Sequence, residues 1–357
     1  MSNDLMVYLK TTDTCQLNCS HCFTNGSNGK KGWFDVEKTV NFFKGLQKFN
    51  PDYQNVNISF HGGEPMLAPT EMLFDAYNQI KDLWPETWWS VQTNLTYPLT
   101  DDKIEVFEKI CNKSFGTSWD ANIRWRGNLN QQMLWEHNVK KLNDDGYDLT
   151  VMICVDKDVV AMEPIDIINK MRDLGFAHIA FERITANGTA RFNMQDIMPS
   201  NKDQDAWFLK MWHQSIEHKT YEYIDNMFFD SILTEIVYNT HAGCRCRECE
   251  QKILTINADG TIGGCPNGAV ESQFGTLMDD VPSLMMSEGR MCNIQSEIIR
   301  HPMCSVCPVF DVCNGDCHQL SWEGMVCAAP KSMMMEMKAK ADIPLYEKFL
   351  NGFMGQE

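Results

Sequence analysis

The sequence predicts an α/β fold: a partial (β/α)6, TIM-like barrel followed by a cysteine-rich extension that contains a β-hairpin and short helices. Two observations predict it. As far as about residue 200, segments rich in β-branched and aromatic residues alternate with amphipathic segments, which is typical of parallel strands joined by crossover helices. From His241 onward this alternation ends, and ten of the fifteen cysteines lie between Cys244 and Cys327.

Six segments have the composition of the parallel strands. They are residues 5–12 (LMVYLKTT), 55–60 (NVNISF), 88–93 (WWSVQT), 113–119 (KSFGTSW), 148–155 (DLTVMICV) and 178–184 (HIAFERI). Six strands are two fewer than a closed eight-stranded barrel contains. The alternation fits either a barrel or an open sheet, and a partial barrel is the architecture that we expect.

Amphipathic segments between these strands predict the crossover helices, at residues 34–49, 70–84, 131–146 and 164–175. Gly146 and Gly175 fit the C-terminal ends of two of them. Residues 205–218 and 223–239 predict two bridging helices, and residues 251–265 predict a hairpin whose turn is Asn257–Gly260. We therefore expect a barrel (1–200), bridging helices (201–240), a cysteine-rich domain (241–330) and a helical tail (331–357).

Composition narrows the setting of the protein. The chain has 357 residues and a formal net charge of −17, which argues against a nucleic-acid partner because phosphate contacts require clustered Lys and Arg. It contains no apolar run of the ~18 residues that span a membrane and no visible signal peptide, so we expect a cytoplasmic protein without a membrane partner. Cysteines in such a chain are more often metal ligands or catalytic groups than disulfides.

Three cysteines follow the first predicted strand directly. Cys15, Cys19 and Cys22 form a C-x3-C-x2-C motif, and thiolates at such spacings hold iron–sulfur clusters. Three thiolates leave one iron of a 4Fe–4S cluster open to a ligand from outside the protein. In a parallel barrel this position lies at the C-terminal mouth, where active sites are built. The alternative is a zinc site with His21 as fourth ligand, although adjacent His21 and Cys22 would then have to face one metal.

A second group of cysteines lies near the other end of the chain. Cys304, Cys307, Cys313 and Cys317 form a C-x2-C-x5-C-x3-C motif. So many closely spaced thiols also indicate a metal centre. Structural zinc is again the alternative, because C-x2-C pairs bind zinc. Cys111 and Cys154 belong to neither group, and we expect them to be ordinary buried residues.

The stretch CQLNCSHCF, from Cys15 to Phe23, resembles the signature of the radical S-adenosylmethionine (SAM) superfamily. The resemblance implies that the three cysteines hold a 4Fe–4S cluster whose open iron is chelated by the amino and carboxylate groups of SAM. A second match ends the second strand, where Gly62, Gly63, Glu64 and Pro65 resemble the motif that receives the SAM amino group. Glycines permit close approach of a ligand to the backbone, and an ammonium group needs acceptors.

Further matches end the third and fourth strands. Gln92, Thr93 and Asn94 occur as in many members that modify peptides, and Ser118 and Asp120 resemble a Ser-x-Asp-Gly motif that lies near the ribose and methionine of SAM. Ala121 replaces the glycine of that motif. The resemblance also implies an arginine that pairs with the SAM carboxylate. Arg124 and Arg126 are both candidates, and we favour Arg126.

The C-terminal cysteines resemble the SPASM extension, which binds two auxiliary 4Fe–4S clusters. The resemblance implies one cluster on Cys265, Cys317 and two of Cys244, Cys246 and Cys249. Among these three we favour Cys244 and Cys249, because their separation leaves more room to wrap a cluster. The resemblance implies a second cluster on Cys304, Cys307, Cys313 and Cys327.

The resemblance implies an oxygen-sensitive enzyme of a reducing, anaerobic cytoplasm. Ferredoxin or flavodoxin would reduce the SAM-bound cluster, and the resulting 5′-deoxyadenosyl radical would abstract a hydrogen from the substrate. We expect oxidative modification of a peptide or protein, as by maturases of ribosomally synthesised peptides (RiPPs). Only 14 residues precede Cys15, so peptide recognition would need a separate protein or the barrel itself.

Three other functions are weaker expectations. The first is oxidation of a small sugar-like alcohol by the same radical chemistry. The second is sulfatase maturation, which is disfavoured because Pro266 stands where that subgroup places an aspartate. The third is a zinc-binding protein that is not an enzyme.

Overall fold

The computed structural model describes residues 4–24, 26–268 and 270–351. In this part of the chain ten strands form one sheet in the order β10-β9-β8-β1-β2-β3-β4-β5-β6-β7. The strands are β1 Asp4–Thr12, β2 Asn55–Gly62, β3 Thr87–Thr93, β4 Ser114–Trp119, β5 Asp148–Val155, β6 His178–Arg183, β7 Asp225–Asn226, β8 Ile253–Ile256, β9 Thr261–Gly263 and β10 Gly275–Thr276. Neighbours from β1 to β6 are parallel, which confirms the six predicted barrel strands.

The described residues contain fifteen α-helices. They are α1 Val36–Phe49, α2 Thr70–Ile80, α3 Asp101–Lys109, α4 Leu129–Asp144, α5 Lys157–Val160, α6 Pro164–Asp173, α7 Ala190–Ile197, α8 Asn201–Glu217, α9 Met227–Tyr238, α10 Cys249–Lys252, α11 Val281–Met285, α12 Glu288–Ile298, α13 Phe310–Cys313, α14 Lys331–Lys340 and α15 Ile343–Asn351. The four predicted crossover helices and both bridging helices are present. The sequence pattern missed α3, in which six of the nine residues are charged and only Val106 and Phe107 are buried.

Alternation along the strands gives the barrel its two faces. In β5, Leu149, Val151, Ile153 and Val155 are buried in the main hydrophobic core. Met152 and Cys154, which alternate with them, line the interior of the barrel. The outward face therefore packs against helices, while the inward face is left to form a site.

The predicted hairpin is confirmed, and it also joins the barrel. β8 and β9 pair antiparallel, and their turn ends at Gly260, whose φ of 85° favours glycine. β8 then lies parallel to β1, with Met6 opposite Ile253 and Leu9 opposite Ile256. The extension therefore begins beside the strand that leads into the first three cysteines. The division of the chain into four parts stays a prediction.

The bridging helices and the tail pack together through aromatic side chains. Trp212 of α8 contacts Tyr346 and Phe349 of α15 at ring-centroid distances of 5.8 and 4.9 Å, and Phe229 of α9 contacts Trp212 at 5.2 Å. Residues 352–357 of the predicted tail lie outside the described residues. Among the helices that the structure describes, none is long and apolar enough to cross a membrane.

Candidate active site and cysteine clusters

A cavity of about 530 Å³ opens at the C-terminal ends of the barrel strands. Most residues predicted for the barrel site line it: Cys15, Cys19, Cys22, Gly62, Gly63, Glu64, Gln92, Asn94 and Ser118. Pro266 and Asn267, which follow Cys265 of the extension, line the same cavity. The barrel and the extension thus share one chamber.

The two glycines after β2 allow the cysteine loop to lie directly on the strand end. The Gly63 amide donates to Thr12 O at 2.8 Å, and the Glu64 amide donates to Thr14 O at 2.9 Å. A Cβ on Gly62 would lie 2.2 Å from Thr12 O, and one on Gly63 would lie 2.1 Å from Thr14 O. Both positions therefore require glycine, because a side chain would displace the backbone that leads into Cys15.

Glu64 is buried behind this loop and holds the ends of β2 and β3 together. Its carboxylate accepts hydrogen bonds from Thr93 Oγ1 at 2.7 Å, from the Asn94 amide at 2.8 Å and from the Met66 amide at 3.0 Å. Burial raises the pKa of Glu64 to about 7, and these three hydrogen bonds act in the opposite direction. Pro65 is buried beside it, where its carbonyl accepts from Thr11 Oγ1 at 3.2 Å.

Two N–H groups donate hydrogen bonds to the Cys15 sulfur. The Leu17 amide donates to Sγ at 3.3 Å, and Asn94 Nδ2 donates at 3.4 Å. Burial raises the pKa of the Cys15 and Cys19 thiols to about 12. Metal binding deprotonates such thiols. Three thiols that share a cavity, one of which accepts two N–H hydrogen bonds, therefore fit a cluster site. Gln92 Nε2 donates to Ser118 Oγ at 2.8 Å on the floor of the cavity.

Asp120 is fully buried and holds Arg124 rather than lining the cavity. Arg124 Nε donates to Asp120 Oδ2 at 2.7 Å, and the Cys154 amide donates to Oδ1 at 2.8 Å. His21 Nε2 lies 3.4 Å from the same carboxylate, and burial lowers the pKa of His21 to about 4. The carboxylate therefore orients Arg124, whose side chain lines the cavity.

Arg126, the arginine that we favoured from the sequence, lies outside the cavity. It is exposed, and its Nη1 donates to Asn18 O at 3.3 Å. Its φ of 48° follows a tight turn in which the Arg126 amide donates to Asn122 O at 2.8 Å. This turn directs the two arginines to different surroundings and places Arg124, not Arg126, at the cavity wall.

The four cysteines favoured for the first auxiliary cluster lie near one another. Interaction with the Cys317 thiol is the largest cause that raises the pKa of the Cys244 thiol, so the two side chains lie close together. Burial raises the pKa of the Cys249 thiol, and the nearby charges of Glu297, Cys265, Cys244 and Cys246 raise it further. Which two of Cys244, Cys246 and Cys249 act as ligands stays a prediction.

The cysteines proposed for the second auxiliary cluster surround a separate cavity of about 250 Å³. Cys304, Cys307, Cys313 and Cys327 all line it, together with Cys317. Apolar side chains such as Phe310, Leu320 and Met325 form much of the remaining wall. The fifteen cysteines, all among the described residues, are free of disulfides. Four free thiols around one cavity fit a four-cysteine cluster.

Several cavity residues were not assigned from the sequence. Glu182 on β6 lies opposite Cys154 on β5, and both line the large cavity with Tyr8. Cys154 is therefore not the ordinary core residue that we expected, whereas Cys111 is buried in the core. The alternation within β6 carried a signal for Glu182, because its side chain had to face the barrel interior once Phe181 faced the core.

Known proteins match this chain in structure but not in sequence. No protein-family model and no curated protein matches it. The structure of anSMEcpe with bound AdoMet and a Cp18Cys peptide matches with a TM-score of 0.75 and 17% identity, over 98% of this chain and 99% of that chain. SuiB of Streptococcus suis bound to the precursor peptide SuiA matches with a TM-score of 0.61 and 12% identity, over 88% of this chain and 72% of that chain.

SuiB bound to S-adenosylmethionine gives a similar result, with a TM-score of 0.62 and 13% identity over 90% of this chain and 77% of that chain. These neighbours are radical SAM proteins, and anSMEcpe carries a SPASM extension. At such identities the likeness concerns the fold, and it covers both the barrel and the extension. The chain therefore has the fold of the radical SAM proteins that carry a SPASM extension.

Proposed function

We propose that this chain is a radical SAM enzyme with three 4Fe–4S clusters that oxidatively modifies a peptide or protein. The observation that carries the proposal is the cavity of about 530 Å³, in which Cys15, Cys19 and Cys22 meet the Gly62–Gly63 loop and the loop after Cys265. When bound, SAM and its cluster supply the 5′-deoxyadenosyl radical, and the auxiliary clusters supply electron acceptors.

The residues of the barrel would hold and orient the cofactors. Cys15, Cys19 and Cys22 would ligate the SAM-binding cluster. Gly62 and Gly63 line the cavity, and their backbone would lie beside the SAM amino group. Arg124 would pair with the SAM carboxylate in place of Arg126, because Asp120 fixes its guanidinium at the cavity wall.

Gln92 and Ser118 would form the polar surface beneath the SAM ribose, since their mutual hydrogen bond fixes both side chains. In the extension, Cys244, Cys249, Cys265 and Cys317 would hold the first auxiliary cluster. Cys304, Cys307, Cys313 and Cys327 would hold the second. The walls of the shared chamber would exclude water from the radical.

A peptide or protein substrate is supported by two of the structural neighbours. The anSMEcpe and SuiB structures contain a bound peptide and a bound precursor peptide, respectively. Ferredoxin or flavodoxin would supply the electron, and a separate recognition protein could present the substrate. A sugar-like alcohol remains the alternative substrate. Mass spectrometry of a short peptide incubated with the enzyme and SAM would decide between the two, because a peptide substrate would lose hydrogen.

Sulfatase maturation is not the function that we propose, although anSMEcpe is a sulfatase-maturating protein. Pro266 lines the cavity directly after Cys265, where that activity is expected to need an aspartate. Proline offers no proton acceptor in its side chain. The likeness to anSMEcpe at 17% identity therefore does not extend to sulfatase maturation in particular.

The proposal is tested by anaerobic reconstitution followed by reduction with dithionite in the presence of SAM. About twelve irons per chain are expected for three clusters, with release of 5′-deoxyadenosine. Replacing Cys15, Cys19 and Cys22 together by Ala should abolish that release. Cys292→Ala is the matched control, because Cys292 is exposed and lines neither cysteine cavity. Tightly bound zinc without iron, or SAM cleavage by the triple variant at the parent rate, would contradict the proposal.

A further inference from the structure

Arg245 is a buried cation with unsatisfied donors in the middle of the extension. It is 1% exposed and lies between Cys244 and Cys246 in the sequence. Its Nη1 donates to Ser231 Oγ, but Nε and Nη2 have no hydrogen-bond acceptor among the described residues. Burying such donors without acceptors is costly, so a ligand that accepts hydrogen bonds is expected near them.

The nearest carboxylate, Asp316, does not compensate Arg245 on its own. Asp316 accepts two hydrogen bonds from Arg183, at 2.6 and 2.8 Å, whereas Arg245 Nη2 lies 3.6 Å from it. Arg247 is also buried and donates to the carbonyls of Asp316 and Ile299. Arg183 and Arg245 therefore share the Asp316 carboxylate, and Arg247 adds a further positive charge at the Asp316 backbone carbonyl. This arrangement leaves positive charge for another anionic partner.

Arg245 lies between the two groups of extension cysteines. On one side it follows Cys244, whose Sγ lies 3.5 Å from Asp316 Oδ1. On the other side its carbonyl accepts from Asn314 Nδ2 at 2.8 Å, and Asn314 follows Cys313. The Arg245 guanidinium itself lies 3.6 Å from Asp316 Oδ2, between the cysteines on its two sides.

The Asp316 carboxylate contacts Cys244 Sγ and also lines the cavity of the second cysteine group. A cation beside that carboxylate therefore lies near both groups of thiols. A positive charge in this position favours a more negative cluster at both sites.

Acidic groups lie on the far side of the first cysteine group. Glu297 accepts from the amides of Cys249 and Glu250, and His318 Nε2 lies 3.3 Å from Glu250 Oε1. The first group is therefore flanked by carboxylates near Cys249 and by arginines near Cys244. The arginine side is the one that it shares with the second group.

We propose that Arg245 is a positioning residue shared by the two auxiliary clusters, and that it raises the reduction potential of both. The inference rests on the proposed function, because it assumes that the two cysteine groups hold clusters. The potential of an iron–sulfur cluster depends on net charge, on hydrogen bonds to its sulfurs and on solvent exposure. Reduction adds negative charge, which a buried cation and free N–H donors stabilise. A single side chain thereby favours electron uptake at both clusters.

The test is a redox titration monitored by electron paramagnetic resonance (EPR). The protein is the full chain with Cys15, Cys19 and Cys22 replaced by Ala, so that only extension clusters contribute. Arg245→Gln should lower both midpoint potentials, with at least a tenfold change in the oxidised-to-reduced ratio at a fixed potential, or about 59 mV for a one-electron couple. Arg245→Lys should lower both by less, because it keeps the charge but loses the planar set of donors.

Arg290→Gln is the matched control. Arg290 is buried in the same extension, but its guanidinium donates to the carbonyls of Met285 and Gln251. Its replacement should leave both potentials unchanged. If Arg245→Gln does not retain iron, Arg245→Lys decides the question.

Unchanged potentials in an iron-loaded Arg245 variant, or a shift of one cluster alone, would overturn the shared role. A shift of the same size in the Arg290 variant would overturn it as well, because the effect would then be a general one of losing a buried cation. Absence of iron from the extension of the parent protein would instead contradict the proposed function, so the two failures are distinguishable.

Discussion

The two regions that contain the clustered cysteines are built differently. In the barrel, Cys15, Cys19 and Cys22 share a cavity of about 530 Å³ with polar groups such as Arg124 and Gln92. In the extension, four cysteines and Cys317 line a cavity of about 250 Å³. The barrel cavity therefore offers more room for a ligand beyond its thiols than the extension cavity does.

The means of positioning also differ. Backbone contacts at Gly62 and Gly63 hold the barrel cysteines against the strand ends. Buried ions connect the extension to the barrel, through Arg183 at the end of β6 and Asp316 beside Cys317. The comparison suggests that steric substitutions should damage the first region and charge substitutions the second.

The largest expected effect is the loss of an extension cluster while SAM cleavage in the barrel continues. Replacing Cys304 and Cys307 together by Ala should remove about four irons per chain, because both thiols line the extension cavity. SAM cleavage should remain, since Cys15, Cys19 and Cys22 are intact, while oxidation of the substrate should be lost. Iron analysis and 5′-deoxyadenosine release measure the two halves of this result. Loss of SAM cleavage with full occupancy of the barrel cluster would contradict the separation.

The next effect is on folding. Arg183→Gln leaves Asp316 buried without its bidentate partner, and breaking one side of a buried ion pair costs about 3–5 kcal/mol. Denaturant unfolding of the protein should show this loss. The control is Arg172→Gln, because the pair of Arg172 with Asp173 is exposed and such pairs contribute about 0–1 kcal/mol. Equal losses in the two variants would show that the buried pair does not anchor the extension.

A smaller effect distinguishes the two arginines of the barrel. Arg124→Met should weaken SAM binding by roughly 10- to 100-fold, since a charged hydrogen bond is worth about 1.5–3 kcal/mol. Arg126→Met should change it by less than about twofold, because Arg126 is exposed outside the cavity and exposed charges contribute little. Equilibrium binding of SAM to the reconstituted protein measures both. A larger loss for Arg126 would restore the assignment that the sequence favoured.

The smallest effect tests the steric contact. Gly63→Ala would place a Cβ 2.1 Å from Thr14 O, and such overpacking costs about 1–3 kcal/mol. Gly263→Ala is the control, because its nearest neighbour would be an ordinary contact at 3.7 Å. Unfolding free energies and the iron content of the barrel cluster should fall only for Gly63→Ala. A normal cluster in that variant would mean that the loop can move.

Much of the fold could be predicted because its signals are local. The alternation in residues 148–155 marks a strand. The glycines at 146 and 175 mark two helix ends, and both have a positive φ. Pairing of β8 with β1 could not be predicted in this way. It joins residues about 250 positions apart, and no local pattern sets such a register.

The part of the site whose motifs directly follow strands could be predicted from the sequence. Cys15 and Glu64 end adjacent parallel strands and therefore meet at one edge of the sheet. The choice between Arg124 and Arg126 depended on a turn that places Arg126 at a φ of 48°, which nothing in the residue types required. The surroundings of Arg245 depend on Asn314 and Asp316, which the fold brings from a distant part of the chain.

The most direct test of the account is the response of each cluster to SAM in the EPR spectrum of the reduced protein. Addition of SAM should change the signal of one cluster in the parent protein. It should change nothing in the variant that lacks Cys15, Cys19 and Cys22, although the extension signals remain. A response to SAM in that variant, or no response in the parent protein with all three clusters present, would contradict the assignment of an open site to the barrel and closed sites to the extension.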